Sequence, residues 1–91
     1  MIRDTRTVEA EQFDTNNGAI TGTATYEYDI EFGLNADIGG RDGYEVVRCE
    51  LVSLKVGGLI LTRKQVVQAS CETQVSKAET AVMETLEPEL A

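Results

Sequence analysis

The sequence predicts an α+β domain: an antiparallel sheet of three to four strands with one long C-terminal helix packed on one face. Three observations carry this. Ile20, Gly22, Ala24, Tyr26, Tyr28, Ile30 and Phe32 alternate with Thr21, Thr23, Thr25, Glu27, Asp29 and Glu31. An unbroken period of two is the mark of a strand with one apolar and one wet face. Asn16-Asn17-Gly18 precedes it as a hairpin turn. Far downstream, Thr62 and Gln65 form a capping box, and Leu61 with Val66 forms a hydrophobic staple, which together start a helix.

The N-terminal hairpin spans 2–33. Its first arm alternates weakly, with Ile2, Arg6, Val8 and Ala10 on one parity and Arg3, Thr5, Thr7, Glu9 and Glu11 on the other. A two-residue Asn17-Gly18 turn would mix the two faces. A three-residue loop with Gly18 left-handed in a bulge keeps them apart. That register pairs Val8 with Tyr26, Ala10 with Ala24, Ile2 with Phe32, Arg3 with Glu31 and Arg6 with Tyr28. The second arm is long for a strand, so a bend is expected at Gly22.

Residues 34–43 read as a loop on composition. Asp37 and Asp42 lie among glycines there, but their spacing is not that of a calcium loop. Residues 44–56 form the third strand. Val47, Cys49 and Leu51 share one parity and Val52, Leu54 and Val56 the other, so a β-bulge between Leu51 and Val52 would restore one buried face; a strand buried on both faces also fits the pattern. Gly57-Gly58 is a tight turn, and the segment 57–61 returns as a short strand at Leu59-Ile60. The Gly-Gly pair beside Arg63 and Lys64 lacks the spacing of a phosphate loop.

The helix is expected over 62–86, with Pro88 ending it and 87–91 as a tail. Val67, Cys71, Val75, Ala78, Val82 and Leu86 form an apolar stripe about 100° wide, with Val66, Ala69 and Met83 off it. At 1.5 Å per residue such a helix is about 36 Å long. Its ends carry charges opposed to the macrodipole: Arg63 and Lys64 at the start, Glu84, Glu87 and Glu89 at the finish. Antiparallel self-association would relieve this by bringing Arg63 and Lys64 of one copy beside Glu84 and Glu87 of the other.

Composition narrows the functional classes. The net charge is −8, with ten acids and three bases in residues 1–45 and six acids and five bases in residues 46–91. Such a chain is repelled by phosphate backbones and anionic lipid, so neither direct nucleic-acid nor membrane binding is expected. Histidine is absent, which removes the commonest general base and metal ligand. No catalytic, metal or cofactor motif is present, and no cofactor is expected. No signal peptide is visible, so a cytoplasmic location and buried free thiols at Cys49 and Cys71 are expected.

Glu27, Asp29 and Glu31 line the wet face at a spacing of about 6.6 Å. With nothing to raise a carboxyl pKa, the row reads as a solvated face or as an acidic docking surface for a basic partner. Its spacing resembles alternate phosphates of one DNA strand.

The order of a tyrosine-bearing strand (Ala24-Thr25-Tyr26-Glu27-Tyr28-Asp29), a polar loop, a strand ending in Gly-Gly (Glu45 to Gly58) and an acidic C-terminal helix is similar to small phage-encoded proteins of unassigned function. The likeness covers residues 24–86. It departs from them in lacking a proline-rich inter-strand loop, since Pro88 is the sole proline. It implies a viral origin, with host cytoplasm or virion as the location, and transfers no site residues. The expected function is a non-enzymatic protein-binding module, a phage accessory or virion-associated structural protein that binds a protein partner or itself. The alternative is an inhibitor that mimics nucleic acid and blocks a host DNA-binding defence enzyme.

Overall fold

A computed structural model describes the backbone of residues 2–33 and 43–90, and the side chains of 2–31 and 46–86. The expected loop at 34–43, with Asp37 and Asp42, lies almost wholly outside the described residues. Four strands form one antiparallel sheet in sequential order: β1 (Ile2–Thr15), β2 (Gly18–Gly33), β3 (Gly43–Val56) and β4 (Leu59–Thr62). Two helices follow, α1 (Arg63–Ala69) and α2 (Glu72–Leu90). The class is the α+β arrangement expected.

The core lies between one sheet face and the helices. Ala24, Tyr26, Tyr28 and Ile30 of β2, Val46, Cys49, Leu51 and Leu54 of β3, Phe13 of β1, and Val66, Val75, Val82 and Leu86 of the helices are buried together. The alternation of β2 thus maps directly onto burial.

Three bulges keep long strands in phase with this single core. In β1 the pairing shifts between Val8 and Glu11, where Ala10 takes a positive φ of 56°. Before the shift the even positions of β1 face the core side; after it Glu11 and Phe13 do. The hairpin register therefore differs from the expected one. The turn is two residues, Asn16-Asn17, with Thr15 paired to Gly18 at φ 106°. Val8 lies opposite Ala24, not Tyr26, and Ile2 opposite Ile30, not Phe32. The displacement is two residues, so neither face is scrambled, and Arg3 meets Asp29 instead of Glu31.

In β3 the expected bulge lies at Val52, because Thr25 pairs with Ser53 and Tyr26 with Leu51. A second lies at Val47, between the pairs Asp29–Arg48 and Ile30–Val46. Val47 and Val52 are the extra residues, and both are exposed. Gly22, the expected bend, sits where β3 crowds β2: a Cβ there would lie 2.2 Å from the Lys55 carbonyl oxygen.

The single long helix is corrected to two. The capping box forms as expected, with Thr62 Oγ1 accepting from the Gln65 N–H and Gln65 Oε1 accepting from the Thr62 N–H at 2.8 Å. The helix then ends at Ala69, where Ser70 leaves helical angles (φ −109°, ψ −104°). Ser70 Oγ donates to the Val66 carbonyl at 2.7 Å, the back-bonding by which serine competes with helix continuation. The break resets the helical phase. Val66, expected off the stripe, is fully buried, whereas Cys71, expected in the core, is exposed. Cys49 is the one buried thiol, and both cysteines are free.

Pro88 does not stop α2, which runs to Leu90. The conformational bias a proline places on its predecessor disfavours a helix without forbidding it. Nor does a helix overhang the sheet. The 16 residues of β2 span about 50 Å at 3.3 Å each, matching the molecule's 51 Å long axis. The 19 residues of α2 span about 28 Å.

Two substitutions test this arrangement. Val75→Asp places an unpaired charge at a fully buried site and is expected to cost more than about 3 kcal/mol. Gly22→Ala drives a methyl group into the Lys55 carbonyl and is expected to cost at least about 1–3 kcal/mol. Urea unfolding measures both; a wild-type midpoint for either places the core or the β2–β3 crossing elsewhere.

Candidate binding surface

The sheet face turned away from the helices carries the acidic row expected to dock a basic partner. The β2–β3 and β1–β2 registers place Arg3, Asp29 and Arg48 in one cross-strand line. Arg3 Nε donates to Asp29 Oδ1 at 3.0 Å and Arg48 Nε to Asp29 Oδ2 at 2.9 Å. Arg48 also donates to Glu27 Oε1 at 2.7 Å and to Glu50 Oε2 at 3.3 Å. Asp29 is buried beneath its two arginines, at 5% exposure. The hydrogen bond from Arg48, and then that from Arg3, holds its carboxyl down at about 2. The same bonds raise both guanidinium pKa values.

The three carboxylates of the acidic row are therefore not equivalent. Glu27 is half-buried and paired, Asp29 is buried, and of the three only Glu31 is exposed. The face is an internally neutralised ladder. Arg48, next to the buried Cys49, lies on the open side of β3. Its position opposite Asp29 depends on the Val47 bulge, which the alternation did not reveal.

The expected self-association residues divide as well. Arg63 is engaged within its own chain. Its Nε donates to Glu79 Oε2 at 2.9 Å, and its Nη2 to Glu79 Oε1 at 3.1 Å and Glu72 Oε1 at 2.8 Å. These bonds raise the Arg63 pKa, and the Arg63 bond lowers that of Glu72. In one straight helix, residues 63 and 79 would stand about 24 Å apart; the break at Ser70 brings them together. Lys64 and Glu84 are exposed, and the Glu87 side chain lies outside the described residues. The opposed charge at Arg63 is satisfied in place, so it gives no motive for a second copy.

Glu79, missed in the sequence, is nearly buried and also accepts the Leu51 N–H at 2.7 Å, beside the Val52 bulge. Burial, and after it the nearby Glu79 charge, pushes the Cys49 thiol up to about 11. Glu11, set just past the Ala10 bulge, accepts the buried Tyr26 hydroxyl at 2.8 Å. Burial and then this bond raise the Tyr26 pKa. The Tyr26 hydroxyl thus ends in an internal bond within the sheet.

The two sheet edges differ. The β1 edge is long but guarded. It carries Arg3, Asp4, Arg6, Glu9 and Glu11 and the Ala10 bulge, and the Gln74 amide takes both the Asp14 N–H and the Asp14 carbonyl at 2.8 Å. The β4 edge is short and apolar. Leu59 and Ile60 are 68% and 67% exposed. Ile60 shares the open face with Lys55, its cross-strand partner. Lys55 and Lys64 are both exposed, and among the described residues neither has an ion-pair partner.

Compared with protein-family models, curated proteins and solved structures, the chain matches none.

The Asp29 ladder makes a pH-dependent prediction. Because the folded-state pKa of Asp29 is depressed, its contribution is complete above the unfolded carboxyl value of about 3.9 and is lost as pH falls through about 2. Acid unfolding followed by circular dichroism is expected to lose part of its steepness between pH 4 and pH 2 in Asp29→Asn, which has no proton to take up. An unchanged acid limb would contradict the ladder.

Proposed function

We propose that the chain is a non-enzymatic protein-binding module that engages its partner along the β3–β4 edge. One observation carries this reading: two large aliphatic side chains, Leu59 and Ile60, stand about two-thirds exposed on an edge strand with no guarding charge of its own. Proteins ordinarily blunt such an edge, as β1 is blunted here. An edge left apolar fits one that is covered in use.

The similarity to small phage proteins supports a phage accessory or virion-associated structural role, in host cytoplasm or virion. The nucleic-acid-mimic alternative is the less favoured reading, because two of the three row carboxylates, Glu27 and Asp29, are tied to Arg3 and Arg48. The net charge of −8 opposes direct contact with nucleic acid. Among the described residues no helix is long and apolar enough to cross a membrane.

A photo-crosslinking side chain at position 60, introduced in cells that produce the protein, is expected to give a discrete protein adduct. The same group at position 5 on the guarded β1 edge is expected to give none. Absence of an adduct at position 60, or equal labelling at both positions, would contradict the assignment.

A further inference from the structure

We infer that β4 accepts an extended segment of another protein as a fifth strand, and that this segment carries acidic residues flanking an alternating apolar centre. The inference rests on the protein-binding reading above and specifies its partner.

The backbone gives the first half of the argument. Val56 pairs with Leu59 across the two-residue Gly57-Gly58 turn, with Gly57 at φ 58°. In such a hairpin the flanking pair exchanges both its hydrogen bonds, so the next residue turns its N–H and carbonyl outward. That residue is Ile60. The following outward N–H, of Thr62, is already taken by Gln65 Oε1 at 2.8 Å. The open template is therefore centred on Ile60, and an added strand would exchange backbone bonds there while Leu59 and Ile60 offer apolar contacts on opposite faces.

Charge gives the second half. The chain is acidic overall, yet β4 sits in a locally basic setting. Arg3, Arg48 and Arg63 are paired with carboxylates of the same chain, and Arg6 is engaged as well. Lys55, Lys64 and Lys77 have no ion-pair partner among the described residues, and of these Lys55, across from Ile60 on β3, and Lys64, two residues past β4, lie beside the edge strand. A lysine level with the centre of an outward-facing apolar strand, one strand further in, and a second past its end complement a segment that carries acidic residues about an apolar centre. They disfavour a second copy of this chain. A twofold pairing about Ile60 would collect four lysines around one short strand pair, in a dimer carrying twice the net charge of −8.

The test uses the full chain and three synthetic decapeptides at low salt. Each has an alternating Val/Thr centre: one has Glu at both ends, one Lys at both ends, and one is the Glu peptide with proline at the central position. Backbone amide resonances report binding. The Glu peptide is expected to shift the Ile60 amide and to bind at least tenfold more tightly than the Lys peptide. Lys55→Glu with Lys64→Glu, both exposed changes, is expected to reverse that preference. The proline peptide is expected to lose binding, because it cannot donate the central bond. Equal binding of the two charged peptides would overturn the inference, as would undiminished binding of the proline peptide. So would an Ile60 shift that grows with protein concentration alone, which would make the second copy the occupant. Failure of crosslinking at position 60 would defeat the protein-binding reading itself. Crosslinking there without strand-selective and charge-selective peptide binding would defeat only this inference.

Discussion

The Glu79 carboxylate joins three elements of the chain at one point. It projects from α2, accepts the Leu51 N–H of β3, and holds the Arg63 guanidinium that begins α1. A nearly buried carboxylate is costly unless it is paired and hydrogen-bonded, and here both conditions are met. The arrangement needs the Val52 bulge, next to which the Leu51 N–H meets a side chain from the helix layer. It also needs the break at Ser70, without which Arg63 could not reach back. Because Arg63 follows directly on Thr62, the same contact fixes where β4 ends and how its edge is presented.

The bulges share a logic beyond that one site. A strand of 14–16 residues cannot stay in register with a single core through its whole twisted length, and an extra residue resets the phase while bending the strand. Each reset here accompanies a polar contact. The Ala10 bulge turns Phe13 inward and sets Glu11 against the Tyr26 hydroxyl. The Val47 bulge brings Arg48 opposite Asp29. The Val52 bulge brings Leu51 to Glu79. No described buried side-chain nitrogen or oxygen is left without a partner. The consequence for binding is subtractive: Arg3, Arg48 and Arg63 are paired with carboxylates of the same chain, whereas Lys55 and Lys64, beside β4, have no ion-pair partner among the described residues.

What could be read from the sequence follows from the range of each signal. The β2 alternation, the capping box, the Gly-Gly turn and the phase change at Leu51–Val52 are local patterns, and the structure has all four. Phe13 was missed because the bulge that buries it is centred on Ala10, an alanine at positive φ rather than the glycine that would announce it. The helix break was missed because Ser70 is an ordinary helix residue until its hydroxyl turns back on Val66. The neighbours of the acidic row were legible only in part: the hairpin register put Arg3 beside the row but opposite Glu31 instead of Asp29, and the place of Arg48 depends on the Val47 bulge, which alternation does not show. The exposed Leu59 and Ile60 were visible as a short strand, but their exposure depends on β4 being an edge.

A double-mutant cycle between Arg63 and Glu79 tests the central claim most directly. Arg63→Ala, Glu79→Ala and the double variant are compared by urea unfolding. If the contact joins α1, α2 and the β3 bulge as described, the two losses are coupled by at least about 1 kcal/mol, because either substitution alone already breaks the link. Losses that add to within about 0.3–0.5 kcal/mol would show two independent surface residues and contradict the account.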